Sequence, residues 1–357
     1  MNEYLKLTAY FGERQRSDKR FLAEALLSLY GSRALATSVM LRGIAGFGPH
    51  QQLRTDQVLS LSEDPPVTVA AVDTRDRIEA LVDDVVTLTP RGLITLERAR
   101  MLQGGDAHFA VPAEPDAVKL TIYVGRRQQV AGIPAHLAVC DVLHREGMAG
   151  ASVFLGVDGT AHGQRQRARF FSRNVDVPIM IISVGEARRI ARAAAELTAI
   201  LTRPLMTIER IRVCKRDGTL LAHPDRFPDV DDRGLPIWQK LMVYTSEAAL
   251  HDGAPIHRAL VRTLRASGAA SGATVLRALW GFQGDRKPHG DKFFQLTRQV
   301  PVTTIIVDRP ERIAHSFEIV DEFTREQGLV TSEMVPALVV VDGETRTGST
   351  ELADHQY

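Results

Sequence analysis

The feature that most constrains this chain is an internal repeat. The stretch Val39-Met40-Leu41-Arg42-Gly43-Ile44-Ala45-Gly46-Phe47-Gly48 reads as a buried strand running into a glycine-rich exit. It returns twice in altered form, as Val153-Phe154-Leu155-Gly156-Val157-Asp158-Gly159-Thr160 and as Val275-Leu276-Arg277-Ala278-Leu279-Trp280-Gly281-Phe282. Other landmarks keep the same register. A lysine sits in the opening apolar strand of each copy (Lys6, Lys119, Lys240), and a proline leads a later one (Pro66, Pro178, Pro301). The three lysine-to-proline intervals agree to within two residues. A pattern that recurs at a domain's spacing means three copies of one unit, which excludes a single large fold.

Each copy reads in the same order. In the first, a strand near Leu5 to Phe11 precedes a helix with Phe21, Leu22, Ala25, Leu26 and Leu29 at helical spacing, closed by Gly31. The repeated strand follows, about Leu35 to Ile44, then a polar loop from Gly46 to about Ser62. Val67 to Val72 is a β-branched strand. A helix with Ile78, Leu81, Val82 and Val85 on one face comes next, and a strand from Leu93 to Arg98 ends the unit. This is β-α-β-β-α-β, the ferredoxin-like split unit. Residues 1–100, 117–214 and 237–342 are the three repeats. The connections are expected to be exposed, and 343–357 is read as a polar, frayed tail. Strands such as Ile179-Met180-Ile181-Ile182 are apolar on consecutive residues, so both of their faces need cover. The expectation is an α+β fold: three ferredoxin-like repeats packed sheet-to-sheet as a pseudo-trimer, with helices outside.

Composition adds exclusions. A net charge of +1 gives no global field for nucleic acid. Cys140 and Cys214 fall in different repeats, which argues against a disulfide framework and for a reducing compartment. The absence of a long apolar run or a leader-like start places the expectation in the cytoplasm.

The Arg-Gly-x-x-Gly-Phe-Gly run of Arg42, Gly43, Gly46, Phe47 and Gly48, followed by Pro66 and Asp73, resembles the DUF190 family within the PII-like superfamily. Repeat three keeps Arg277, Gly281, Phe282, Pro301 and Asp308 but has Ala278 for the first glycine. Repeat two keeps Gly156, Gly159 and Pro178, with Leu155 in place of arginine and Gly185 in place of aspartate. The resemblance implies a signalling protein, usually trimeric, that binds small effectors such as adenine nucleotides in clefts between subunits. A long loop after the second strand would report occupancy to a protein or membrane-protein partner. One chain with three units would then be a monomer standing in for a trimer.

On this reading the ligand contacts are Arg42, Gly43, Gly46, Gly48, Gly156, Gly159, Arg277 and Gly281. Glycine lets backbone N–H groups approach a phosphate, and arginine pairs with it bidentately. The bland alternatives are a turn for each glycine and a structural ion pair with a neighbouring repeat for each arginine. Leu155 can do neither, so the second cleft should differ. His136 and His257 are too few for a metal centre, and no cofactor is expected. The run from His162 to Asn174, with Arg165, Arg167, Arg169 and Arg173 beside Phe170 and Phe171, reads as a solvated loop or a docking segment. Asp73 and Asp308 suit helix N-caps, and no catalytic motif appears, so the chain is expected to bind rather than catalyse. A small enzyme acting on nucleotides in the same clefts, or an adaptor without ligand, are the competing classes.

Overall fold

The computed structural model describes residues 3–55, 64–102, 117–161, 164–167, 177–284, 289–290 and 300–355. Unit 1 holds β1 (Tyr4–Gly12), α1 (Leu22–Ser32), β2 (Thr37–Phe47), β3 (Pro66–Thr74), α2 (Arg75–Leu88) and β4 (Arg91–Leu102). Unit 2 holds β5 (Ala117–Gly125), α3 (Ala135–Arg145), β6 (Gly150–Leu155), β7 (Asp158–Ala161), β8 (Pro178–Glu186), α4 (Ala187–Ile200) and β9 (Leu205–Arg216). Unit 3 holds β10 (Trp238–Ser246), α5 (Ile256–Ser267), β11 (Ala273–Arg277), β12 (Trp280–Gln283), β13 (Pro301–Asp308) and α6 (Pro310–Phe323). It closes with β14 (Leu329–Val335), β15 (Ala337–Asp342) and β16 (Thr345–Ser349).

In unit 1, β1 lies antiparallel between β3 and β4, with β2 outside β3. Units 2 and 3 repeat this with β5 and β10 in the middle. The outer strands then pair across units in a cycle. The first half of β2 pairs with β7, its second half with β11, and β6 with β12. At the other edge, the end of β4 pairs with the start of β9, the end of β9 with β14, and β15 with the start of β4.

These pairings correct the expected fold class. The chain is mostly β, 47% strand, and contains a closed nine-stranded antiparallel barrel with further strands attached. The circuit runs β1, β3, β2, β11, β13, β10, β14, β9, β4 and back to β1. Three separate ferredoxin-like sheets laid face to face would leave edge strands unpaired, and closure removes those edges. The same physics explains why β2 and β4 outrun the sequence estimates: their ends find partners in other units.

Three apolar clusters sit between the helices and the strands, one per unit. A fourth draws on all three, including Val39, Ala70, Tyr123, Phe154, Met180, Trp238, Met242 and Ile305. The strands β3, β8 and β13 are therefore covered on both faces, as their unbroken apolar runs require. The helices are amphipathic in the ordinary way; α1 buries Leu22, Ala23, Leu26, Leu27 and Tyr30 and runs through Gly31 instead of stopping there. α5 ends at Gly268 in the left-handed conformation.

The tail is ordered through its described residues, 343–355. β16 forms a hairpin with β15, and Leu352 and Ala353 are buried. The second connection also docks: Phe227 and Ile237 pack with Met334 and Ala353. Asp231 holds this corner together by accepting from the backbone N–H groups of Arg233, Leu235 and Asp354. No helix among the described residues is long and apolar enough to cross a membrane.

Candidate functional site

A cleft of about 620 Å³ opens where unit 1 meets unit 3. Unit 1 supplies Tyr10, Phe11, the exit of β2 from Phe47 to His50, Arg54 and Arg91. Unit 3 supplies Trp238, the entry to β11 from Ser271 to Thr274, Asp308, Arg309 and Arg312, with β15 and Thr347 along one side. The size suits a ligand of a few hundred daltons. Four guanidinium groups and His50 face two carboxylates, Asp308 and Asp342, beside four aromatic rings.

The charged groups are held in place. The Arg309 guanidinium lies 3.9 Å from the Trp238 ring centroid, and its Nη1 donates to the Asp229 carbonyl at 3.2 Å. Arg91 pairs with Asp342 at 2.8 Å and His50 meets the same carboxylate at 3.1 Å. The Arg91 hydrogen bond holds the Asp342 carboxyl below its usual range against the opposing effect of burial, with His50 assisting. Arg54 pairs with Asp64 at 3.2 Å. Arg312 donates to the Gly268 carbonyl at 3.1 Å, closing the end of α5. Asp308 is nearly enclosed and accepts from the backbone N–H groups of Ser271 and Arg309. Asp73 does the same for Ala36 and Thr74. Both aspartates thus tie the end of one strand to the entry of another; the helix N-caps are Thr74 and Arg309.

Of the residues singled out in the sequence, Gly48 lines this cleft and has open space where a Cβ would stand. The other glycines lie where strands of different units cross. A Cβ on Gly46 would stand 2.5 Å from the Ala273 carbonyl oxygen, one on Gly159 2.2 Å from that of Ser38, and one on Gly281 2.1 Å from that of Ala151. These are the same crossing repeated around the cycle, and close backbone approach requires glycine at each. Gly43 and Gly156 are likewise crowded by Pro66 and by the Pro178 carbonyl. Arg42 pairs with Glu13 at 2.7 Å and Arg277 with Glu247 at 3.2 Å, each inside its own unit. The equivalent positions of unit 2 hold Leu155 and Arg126, so both members of the pair differ there together.

His257 is buried with neither ring nitrogen hydrogen-bonded, and burial, with Arg258 and Arg277, lowers its pKa to about 4. His136 is lowered by burial alone. Cys140 and Cys214 are buried free thiols, and burial pushes Cys214 up to about 12. His162, the side chains of Arg165 and Arg167, and residues Arg169 to Arg173 lie outside the described residues, as do most of the expected loops after each second strand.

A second polar cluster lies inside the protein. The three register lysines meet three glutamates, Glu97 on β4, Glu209 on β9 and Glu333 on β14. Lys6 reaches Glu97 at 3.1 Å and Glu209 at 3.2 Å. Lys119 reaches Glu333 at 2.6 Å and also pairs with Glu209. Lys240 reaches Glu333 at 2.9 Å and Glu97 at 2.5 Å. Each lysine therefore holds its own unit's glutamate and that of another, in a closed ring of alternating charge. All six are buried. Burial opposes ionisation of Glu97, but Lys240 and Lys6 outweigh it and hold the carboxyl well below its usual range. Lys119 and Lys6 do the same for Glu209. Burial pulls Lys6 and Lys240 down, and the glutamates more than restore them, so both titrate above the ordinary lysine range. The carboxylate oxygens lie within 4.8 Å of one another, a spacing suited to a cation, yet three ammonium groups already neutralise them.

The DUF190 family model, described as "Uncharacterized ACR", matches three times in tandem, at residues 4–101, 117–213 and 238–337. The chain belongs to the DUF190 family. A UPF0166 protein of Aquifex aeolicus (strain VF5) is 32% identical over 98 residues, which are 28% of this chain and 90% of that protein. Among solved structures, aspartate kinase from Synechocystis aligns with 95% of this chain and 45% of its own at 10% identity and a TM-score of 0.22. The chain thus spans about half the length of that kinase. The three DUF190 matches fall on the three units of the barrel, and the glutamates of the ring lie inside them. The ring was missed in the sequence although its signal was there. Each DUF190 unit has one lysine in a mostly apolar first strand and one glutamate about ninety residues on, in the strand after its second helix.

Proposed function

We propose that this chain is a PII-like regulatory protein that binds a small anionic effector between its units and reports occupancy through the segments after each second strand. The observation that carries the reading is the lining of the cleft between units 1 and 3, where cations outnumber carboxylates beside four aromatic rings. Excess guanidinium favours phosphate or carboxylate, and the rings favour a planar partner, so a nucleotide fits the chemistry. The exit of β2 runs along the cleft from Phe47 to Arg54, so a bound molecule would bear on the start of the segment after the second strand. Arg42 and Arg277 are already paired with the carboxylates of Glu13 and Glu247, so they would offer an anion a guanidinium whose charge is largely neutralised.

The test is mass spectrometry of small molecules released from the natively purified protein, followed by thermal shift with ATP, ADP, inorganic phosphate and citrate. The reading expects an anionic compound to co-purify, or one of these probes to raise the midpoint. At a hundredfold excess over Kd the gain is about 2.7 kcal/mol. No co-purified anion and no shift with any probe would remove it.

A further inference from the structure

We infer that the cleft between units 1 and 3 is the one strong site of the chain, and that Arg309, fixed on Trp238, makes it a nucleotide site. This rests on the effector reading above and adds which cleft is used and what chemistry selects the ligand.

The cyclic strand pairing creates three equivalent junctions, marked by the crossings of Gly46 with Ala273, Gly159 with Ser38 and Gly281 with Ala151. Position by position, their walls differ. Trp238 stands two residues before the ring lysine of unit 3; Tyr4 stands there in unit 1 and Ala117 in unit 2. Arg309 follows Asp308; Thr74 follows Asp73 and Glu186 follows Gly185. The junction of units 1 and 3 therefore has a cation on an indole. The junction of units 2 and 1 has a hydroxyl and a phenol. The junction of units 3 and 2 has a carboxylate and a methyl group.

Arg312 does not discriminate, since Arg77 and Arg189 occupy the same place and donate to the same helix end. Arg309 does. The indole beneath its guanidinium carbon and the Asp229 carbonyl, which takes one of its five donors, hold the group in place. A fork held in place before binding loses less side-chain freedom when it meets a phosphate. Glu186, by contrast, is exposed and would repel the same group. Tyr10 is the partly exposed ring that the cleft offers a base, while Phe11 and Phe47 are buried in the cores behind it.

Calorimetry of the full chain with ATP, adenosine and tripolyphosphate tests this. ATP should bind once per chain in its strong phase, with adenosine and tripolyphosphate both weaker. Arg309→Ala should weaken ATP by about tenfold to a hundredfold, the worth of one charge-assisted contact. Arg309→Lys, which keeps the charge but not the flat stack, should weaken it less and covers the case in which the alanine variant fails to fold. Thr74→Ala and Glu186→Ala should leave the affinity unchanged. Three equal ATP sites, or an Arg309→Ala titration like the parent, would overturn the single-site inference and leave the effector reading standing. Tripolyphosphate binding as tightly as ATP would overturn the nucleotide class. If ATP fails to bind at all the inference falls, and the effector reading falls with it only when nothing anionic co-purifies and none of the other probes shifts the midpoint.

Discussion

Replacing Lys119 by methionine tests the buried ring most sharply. Lys119 is fully enclosed, its Nζ 2.6 Å from each oxygen of Glu333 and in contact with Glu209 as well. Methionine keeps most of the length and removes the charge. Three ammonium groups facing three carboxylates become two facing three, in an interior where an unpaired charge is costly. Breaking a buried pair in this way costs about 3–5 kcal/mol. One carboxyl should escape the cost by taking up a proton, which offsets the ammonium proton lost with the lysine, so parent and variant should carry the same net charge at pH 7. At about 2 °C per kcal/mol for a chain of this size, the thermal midpoint should fall by about 6–10 °C. Urea denaturation followed by circular dichroism gives the free energy. The charge-balanced double variant Lys119→Met with Glu333→Gln should recover at least half of the loss, because it removes the orphaned carboxylate. A single variant within about 1 kcal/mol of the parent, or a double variant no better than the single, would refute the claim that the ring is a coupled ionic unit.

Other outcomes follow from the same geometry. Glu97 and Glu209 titrate below their ordinary range, so their stabilisation is complete above about pH 4.3 and is lost as pH falls toward their folded values. Lys6 and Lys240 titrate above theirs, so their contribution is complete below about pH 10.4 and is lost as pH rises beyond it. His257, lowered to about 4, should cost stability as pH falls from about 6.5 toward that value. The urea midpoint of His257→Leu should lack that slope, and equal slopes in parent and variant would contradict the assignment. Gly159→Ala places a Cβ 2.2 Å from the Ser38 carbonyl and should destabilise by about 1–3 kcal/mol, whereas Gly48→Ala meets nothing within 4 Å and should be tolerated. Arg42→Ala breaks a half-exposed pair and should cost no more than about 1 kcal/mol in the same assay. Because the barrel closes with strands of one chain, light scattering should give a mass near 39.3 kDa; a stable assembly of several chains would contradict this.

The threefold repeat was legible because local signals carry it: apolar periodicity, a proline at each third strand and glycine at each strand exit. The element order within each unit followed from the same signals. The pairing between units did not, because hydrogen-bond partners across a barrel leave no mark on local periodicity. Met101 and Leu102 read as a linker, yet they pair with Thr207 and Met206. Thr345 to Ser349 read as frayed tail, yet they form a hairpin with β15. The matching spacing of Gly46, Gly159 and Gly281 within their units was visible, but its cause is the carbonyl of a strand in another unit. The cleft was visible only as a junction of repeats. Its cations, Arg54, Arg91, Arg309 and Arg312, come from three separate places in the chain and share no motif. Lys6, Lys119 and Lys240 served as landmarks without revealing their partners, since a glutamate in a distant strand is as compatible with a solvated edge as with a buried ring.

Hydrogen–deuterium exchange of the full chain with and without saturating ATP tests the central claim most directly. The account predicts slowed exchange in peptides covering residues 47–54, 271–274 and 308–312, with residues 36–38 and 73–77 unchanged. Protection confined to residues 36–38 and 73–77, or equal at both junctions, would contradict it.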